Sequence, residues 1–158
     1  MKALDVKHIN PFLQSTLSIM EQTTGIKLAV GKPAVGSLTF PNNIFILQVG
    51  VTGALKGQVL LVMEEDNAKS IASKMMMGMP VDTLDDMASS ALCELSNMIM
   101  GSTATLFSTQ KIAMDITPPI SLHGSNLKLQ TDMQALKIPM AADGKELVSL
   151  YLCLGEED

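Results

Sequence analysis

The segment CELSNMIMG (93–101) sets a carboxylate and a carboxamide, Glu94 and Asn97, three residues apart, with Gly101 one helical turn further on. Ser90 stands one turn before Glu94. A helix that only had to pack would carry Lys or Arg on its wet side, since their long stems cover apolar surface while their charges stay solvated. Short polar side chains beside a glycine instead suggest a surface that another molecule docks against. Glycine inside a helix costs about 1 kcal/mol relative to alanine, so a packing or docking reason should offset it.

The element that must position these residues is a helix over about 83–108. Leu84, Ala88, Ala91, Leu92, Leu95, Ile99 and Leu106 fall on one side at about 100° per residue. That side is expected to pack on a sheet. Asp86, Ser90, Glu94, Asn97, Gly101 and Thr105 gather on the opposite side. Glu94 and Asn97 then project about 60° apart and about 4.5 Å apart along the axis, so both can address one point. Asp82 or Thr83 is the expected opening residue of the helix.

Residues 5–24 read as a first helix, with Asp5 or Asn10 as cap, Pro11 in its first turn and Gly25 as its stop. The stretches 43–53 and 56–64 are rich in β-formers and joined by a short turn, which predicts an antiparallel hairpin. Residues 66–77 form a second helix, capped by Asp66 and closed at Gly78, with Pro80 blocking continuation. Strands are expected at 111–116, 119–123, 127–137 and 146–154, bounded by Pro118–Pro119, His123–Gly124 and Asp143–Gly144. The order helix, strands, two helices, strands predicts an α+β fold: an antiparallel sheet with helices packed on one face. A length of 158 residues favours one domain, 1–158.

Apolar residues make up 47% of the chain and charged residues 17%, which is globular rather than disordered. A net charge of −5, with eleven Lys and Arg spread along the chain, argues against nucleic acid as a partner. The two cysteines, Cys93 and Cys153, sit in apolar contexts and read as buried free thiols of a reducing compartment. No signal-peptide core and no apolar run near the ~18 residues of a membrane span is found, so a soluble cytoplasmic protein is expected. The stretch GIKLAVGKP (25–33) fails as a phosphate loop: five residues separate its glycines where four are needed, and Pro33 replaces the metal-binding hydroxyl. KMMMGMP (74–80) has the composition of a soft thioether metal site, but methionine at a helix end more often fills gaps or makes a contact surface. Two His and two Cys assemble no zinc site at the usual spacings.

Ser90, Glu94 and Asn97, followed by DITPP (115–119), resemble the signature of the CheC/CheX/FliY family of CheY-P phosphatases, and within it the CheX branch. GKPAVGSL (31–38), GVTGALKGQVLLVM (50–63) and MMMGMPVDTLDDMASSALCELSNMIMG (75–101) extend the resemblance over most of the chain. It implies a CheC-like fold and an enzyme that hydrolyses the phospho-aspartate of a CheY-like response-regulator receiver domain. Glu94 and Asn97 would be catalytic: Asn97 orients the attacking water and Glu94 docks the receiver's lysine. Ser90 and Gly101 would bind the partner by letting its surface come close, although some relatives carry Asp at the position of Ser90. No cofactor of its own is implied, because Mg²⁺ comes with the receiver. CheC-type relatives carry the motif twice. Here the first helix has only Glu21–Thr24 at that spacing, which implies one site per chain. A homodimer joined through sheet edges is also implied. The competing reading is a non-catalytic receiver- or flagellar-switch-binding module on the same fold.

Overall fold

A computed structural model describes residues 1–157. Strand β1 (Lys2–Ala3) and a single 3-10 turn precede helix α1 (Asn10–Thr24). Short strands β2 (Ala29–Val30), β3 (Ala34–Val35) and β4 (Thr39–Phe40) lead into the hairpin of β5 (Ile44–Gly53) and β6 (Leu55–Glu64). Helices α2 (Glu65–Met75) and α3 (Asp86–Thr109) follow. The chain closes with β7 (Met114–Ile116), β8 (Ile120–Gly124), β9 (Leu127–Lys128), β10 (Leu136–Ala142) and β11 (Lys145–Glu156).

The main sheet is antiparallel. It runs β10, β11, β6, β5, with β2 and β3 edging β10 and with β7 and β8 both paired to β5. Side chains alternate across it with the period of two that a pleated strand dictates. Phe45, Leu47, Val49, Leu61, Met63, Leu150 and Leu152 point to one face, where they meet Phe12, Met20, Ile71, Leu92, Leu95 and Phe107 of the helices. Ile44, Ile46, Leu60, Val62, Tyr151 and Cys153 point to the other face and form a smaller core. A ribbon of β4 and β9 lies over that second core, with Phe40 and Leu127 packed into it. The central strands are thus covered on both sides, which accounts for their near-continuous apolar runs.

The expected α+β order and the helices on one face are both present. Several boundaries differ. Asp5 caps only the 3-10 turn, accepting from Lys7 N, and α1 starts after Ile9 with no side-chain cap. Gly25 closes α1 in the left-handed region at φ 74°. Asp66 does not cap α2. It lies in the first turn, where a carboxylate still favours the helix dipole, while Glu64 occupies the cap position without a side-chain capping bond. Neither Asp82 nor Thr83 opens α3; Asp85 does, its carboxylate accepting from Ala88 N at 2.9 Å.

The largest departure is at 127–137, which is not one strand. Residues 127–128 leave the main sheet for β4, and β10 begins only at Leu136. The outer strand beside β5 is also split, at Pro118–Pro119. Proline has no N–H to give a ladder. Thr117 bridges the break: its amide donates to Gly50 O at 3.0 Å and its Oγ1 accepts from Gly50 N at 2.8 Å.

Candidate functional site

The packing of α3 decides which of its residues meet solvent. Ala88, Leu92, Leu95, Ser96, Ile99, Met100, Thr103 and Phe107 are buried against the sheet and the neighbouring helices. Phe107, rather than the expected Leu106, carries the last turn into the core. There it meets Phe12 edge-on at 5.5 Å between ring centroids. Ser15 Oγ donates to Ser102 Oγ at 3.2 Å, a second tie between α1 and α3. The helix is therefore clamped along one side, and its opposite side has no freedom to rotate inward.

On that opposite side Ser90, Glu94, Asn97 and Thr105 are exposed and Gly101 is half-buried. The helix thus brings all four sequence-predicted site residues onto one stripe. Among the described residues neither the Glu94 carboxylate nor the Asn97 carboxamide takes a hydrogen bond or ion pair. Both remain available to another molecule. A Cβ built on Gly101 would meet nothing within 4 Å, so no contact inside the chain requires glycine there. The penalty of a helical glycine is not offset by internal packing.

The Cys93 thiol next to Glu94 is half-buried rather than buried, and burial pushes its pKa up. It stays protonated and is no nucleophile at neutral pH. Burial pushes Cys153 up to about 11. Among the described residues no group of three or more His, Cys, Asp or Glu side chains gathers as a metal site. Among the described residues no helix is long and apolar enough to cross a membrane. On α1, Glu21 lies 3.9 Å from Lys27, and the Thr24 hydroxyl donates to Met20 O. That turn holds no free carboxamide beside its carboxylate.

Two hollows lie beyond the ends of the α3 stripe. One, of about 360 Å³, involves Ala104, Ser108, Lys111 and Asp115. The other, of about 240 Å³, involves Met76, Met79, Pro80, Val81 and Met87. Met87 continues the stripe toward the helix N-terminus, and reading the wheel only for polar residues passed over it. Its angular position was the available signal, since it projects within about 20° of Glu94.

A model of the family described as chemotaxis phosphatase CheX matches residues 45–141, more than half of the chain. A CheY-P phosphatase CheX from Thermotoga maritima is 30% identical over 150 residues, which make up 94% of this chain and 96% of that protein. The chain belongs to the CheX family. The fold carries the same relationship. A CheC-like superfamily protein from Shewanella sp. PV-4 superposes with a TM-score of 0.83 at 26% identity, covering 96% of this chain and 99% of that one. The CheX of a CheX–CheY–BeF₃–Mg²⁺ complex from Borrelia burgdorferi superposes with a TM-score of 0.81 at 25% identity, covering 96% and 100%. The phosphatase class is that of the CheX family, and the segment that its model matches contains the whole α3 stripe.

Proposed function

We propose that this chain is a response-regulator phosphatase: it accelerates hydrolysis of the phospho-aspartate of a CheY-like receiver domain, with the α3 stripe as its working surface. The observation that carries the reading is the exposed Glu94–Asn97 pair, unengaged within the chain, beside a glycine that internal packing does not need. A solvent-facing helix surface is convex. It inserts into a partner's concave site rather than enclosing a small substrate.

The chemistry then divides between two proteins. The receiver brings the acyl phosphate, its Mg²⁺ and the lysine beside the phosphate. A loose phosphoryl-transfer transition state needs positioning and charge stabilisation more than a new nucleophile. Asn97 supplies a carboxamide that accepts from and donates to one water, fixing it in line with the phosphorus. Water adds to phosphorus as the bond to the aspartate oxygen breaks. The aspartate returns as carboxylate, and both water protons leave on inorganic phosphate. Glu94 pairs with the receiver lysine and sets register through a charge-assisted hydrogen bond. Ser90 and Gly101 keep the approach free of bulk.

The chain works as one CheX-like domain over 1–158 in the cytoplasm, with no cofactor of its own. It forms a homodimer through sheet edges. The exposed Val35 on β3 and Ile120 on β8 support that assembly, since both outer strands carry an apolar side chain in solvent. The deciding experiment follows phosphoryl decay of a CheY-type receiver with and without the chain. Faster decay supports the phosphatase. Binding with unchanged decay favours a non-catalytic receiver- or flagellar-switch-binding module on the same fold.

A further inference from the structure

The outward stripe of α3 extends past Ser90 into an apolar patch. Met87 is 62% exposed and stands two turns, about 10 Å, before Glu94 along the helix axis. It borders the hollow that Met76, Met79, Pro80 and Val81 also line. Met79 is 55% exposed and Met77 is 97% exposed. Met77 also holds a left-handed φ of 59°. That conformation costs a non-glycine residue about 1 kcal/mol or more, and here it carries a large apolar side chain into water. Scattered exposed apolar residues are ordinary. Met79, on the connection from α2 to α3, and Met87, in the first turn of α3, line one hollow, and Met77 stands two residues before Met79; flexible thioether chains suit an adaptable contact surface. The exposed Asp82 and Asp85 on the connection and Asp86 at the start of α3 give the patch an acidic border.

Resting on the phosphatase reading above, we propose that Met77, Met79 and Met87 form the apolar end of the receiver-docking surface. They take an apolar patch on the receiver that is flanked by Lys or Arg. Footprint and charge carry the choice of occupant. A standard interface buries about 800 Å² per partner, equivalent to a disc of about 16 Å radius. A receiver anchored at Glu94 and Asn97 therefore reaches Met87. The acidic border selects a basic rim on the partner and disfavours a second copy of this acidic chain. The polar pair positions chemistry, and the methionines supply affinity by removing apolar surface from water.

The test uses the full chain and a purified CheY-type receiver. Kd is measured with the BeF₃⁻- and Mg²⁺-loaded receiver, and phosphoryl decay is measured at saturating chain. The triple variant Met77→Gln, Met79→Gln, Met87→Gln removes the apolar surface, and the matching triple Leu variant keeps it. The Gln variant is expected to bind about tenfold or more weakly, with a smaller effect on decay at saturation, and the Leu variant to bind like the parent. If the triple Gln variant fails to fold, the single Met77→Gln, at a fully solvated position, should still bind a few-fold more weakly. An unchanged Kd in folded Gln variants, with the parent accelerating decay, overturns the methionine surface and leaves the phosphatase reading standing. An unchanged Kd with altered self-association assigns the patch to a second copy and also overturns it. A parent chain that neither binds receiver nor speeds decay removes both readings.

Discussion

Asn97 follows Glu94 by three residues on the solvent side of α3, while Leu95 and Ser96 between them are buried. The two outward side chains are about 4.5 Å apart along the axis and about 60° apart around it. Rotation of the helix would expose Leu95, so the core that holds α3 also holds the pair toward solvent.

Asn97→Ala is expected to return phosphoryl decay toward the receiver's own rate, a loss of about 10²–10³ in acceleration, with receiver binding nearly intact. Asn97→Asp should be at least as damaging, because it adds a negative charge beside a phosphoryl group and removes the amide donor. Full activity in Asn97→Asp would make the residue a base and sink the water-positioning role. Stopped decay assays with labelled phosphoryl-receiver check both.

Glu94→Ala is expected to weaken binding to the activated receiver by about 30-fold or more, because it strands the partner's lysine in a partly desolvated contact. Titration at increasing salt separates the roles further. Binding by the parent should weaken as salt rises, and binding by Glu94→Ala should respond less. Equal affinities for parent and variant would remove Glu94 from the interface.

Gly101→Ala divides stability from function. The added methyl meets nothing, and alanine is the better helix former by about 1 kcal/mol. The variant should therefore melt a few degrees higher. If the receiver approaches the helix backbone at this point, the same methyl should slow dephosphorylation. A stabler variant with undiminished activity would place the receiver elsewhere.

The chain ends contain a pH-dependent clasp. Glu156 accepts from Asp5 N at 2.9 Å and from His8 Nδ1, and both side chains of the Glu156–His8 pair are largely buried. Burial pushes the Glu156 carboxyl up, but the His8 hydrogen bond, the Asp5 amide and the His8 charge outweigh it, so the net pKa lies below the ordinary 4.5. A depressed carboxylate stabilises the fold fully above its unfolded value and ceases to do so as pH falls through the folded value. Glu156→Gln should therefore cost about 1–3 kcal/mol at pH 7. The difference from the parent should shrink as denaturation is repeated below pH 4.5. A constant difference down to acid would exclude the clasp as its source.

Light scattering at micromolar concentration is expected to give twice the chain mass, with Asn97 outside the interface. A charged substitution on the outer strand, Ile120→Lys, should shift the chain toward monomer while leaving receiver binding in place. A monomeric parent, or an interface that covers Asn97, would argue against sheet-edge pairing.

Features that depend on neighbours a few residues away were legible before any fold was known. The period of α3 separates Leu92, Leu95 and Ile99 from Glu94 and Asn97 without reference to the rest of the chain, because helical geometry repeats every 3.6 residues. The β5–β6 hairpin is equally local, since its two strands are joined by one residue. Even there the finest local choice went astray: Asp82, Thr83 and Asp85 are all competent caps, and only the final approach of α3 to the sheet selected Asp85.

Tertiary structure decided whatever required distant segments to meet. Leu127 turns away from β10 because Phe40, far back in the chain, offers it a partner over the second core. Thr117 stands in for a ladder bond because Gly50 lies beside it, and Glu156 finds His8 because β11 ends beneath the N-terminal turn. The spare room at Gly101 and the meeting of Met87 with Met79 around one hollow likewise appear only when every neighbour is in place. Closing a long loop costs entropy that no short stretch of sequence displays, and only the assembled core, by burying apolar surface from both sheet faces, supplies the free energy that selects one set of distant partners.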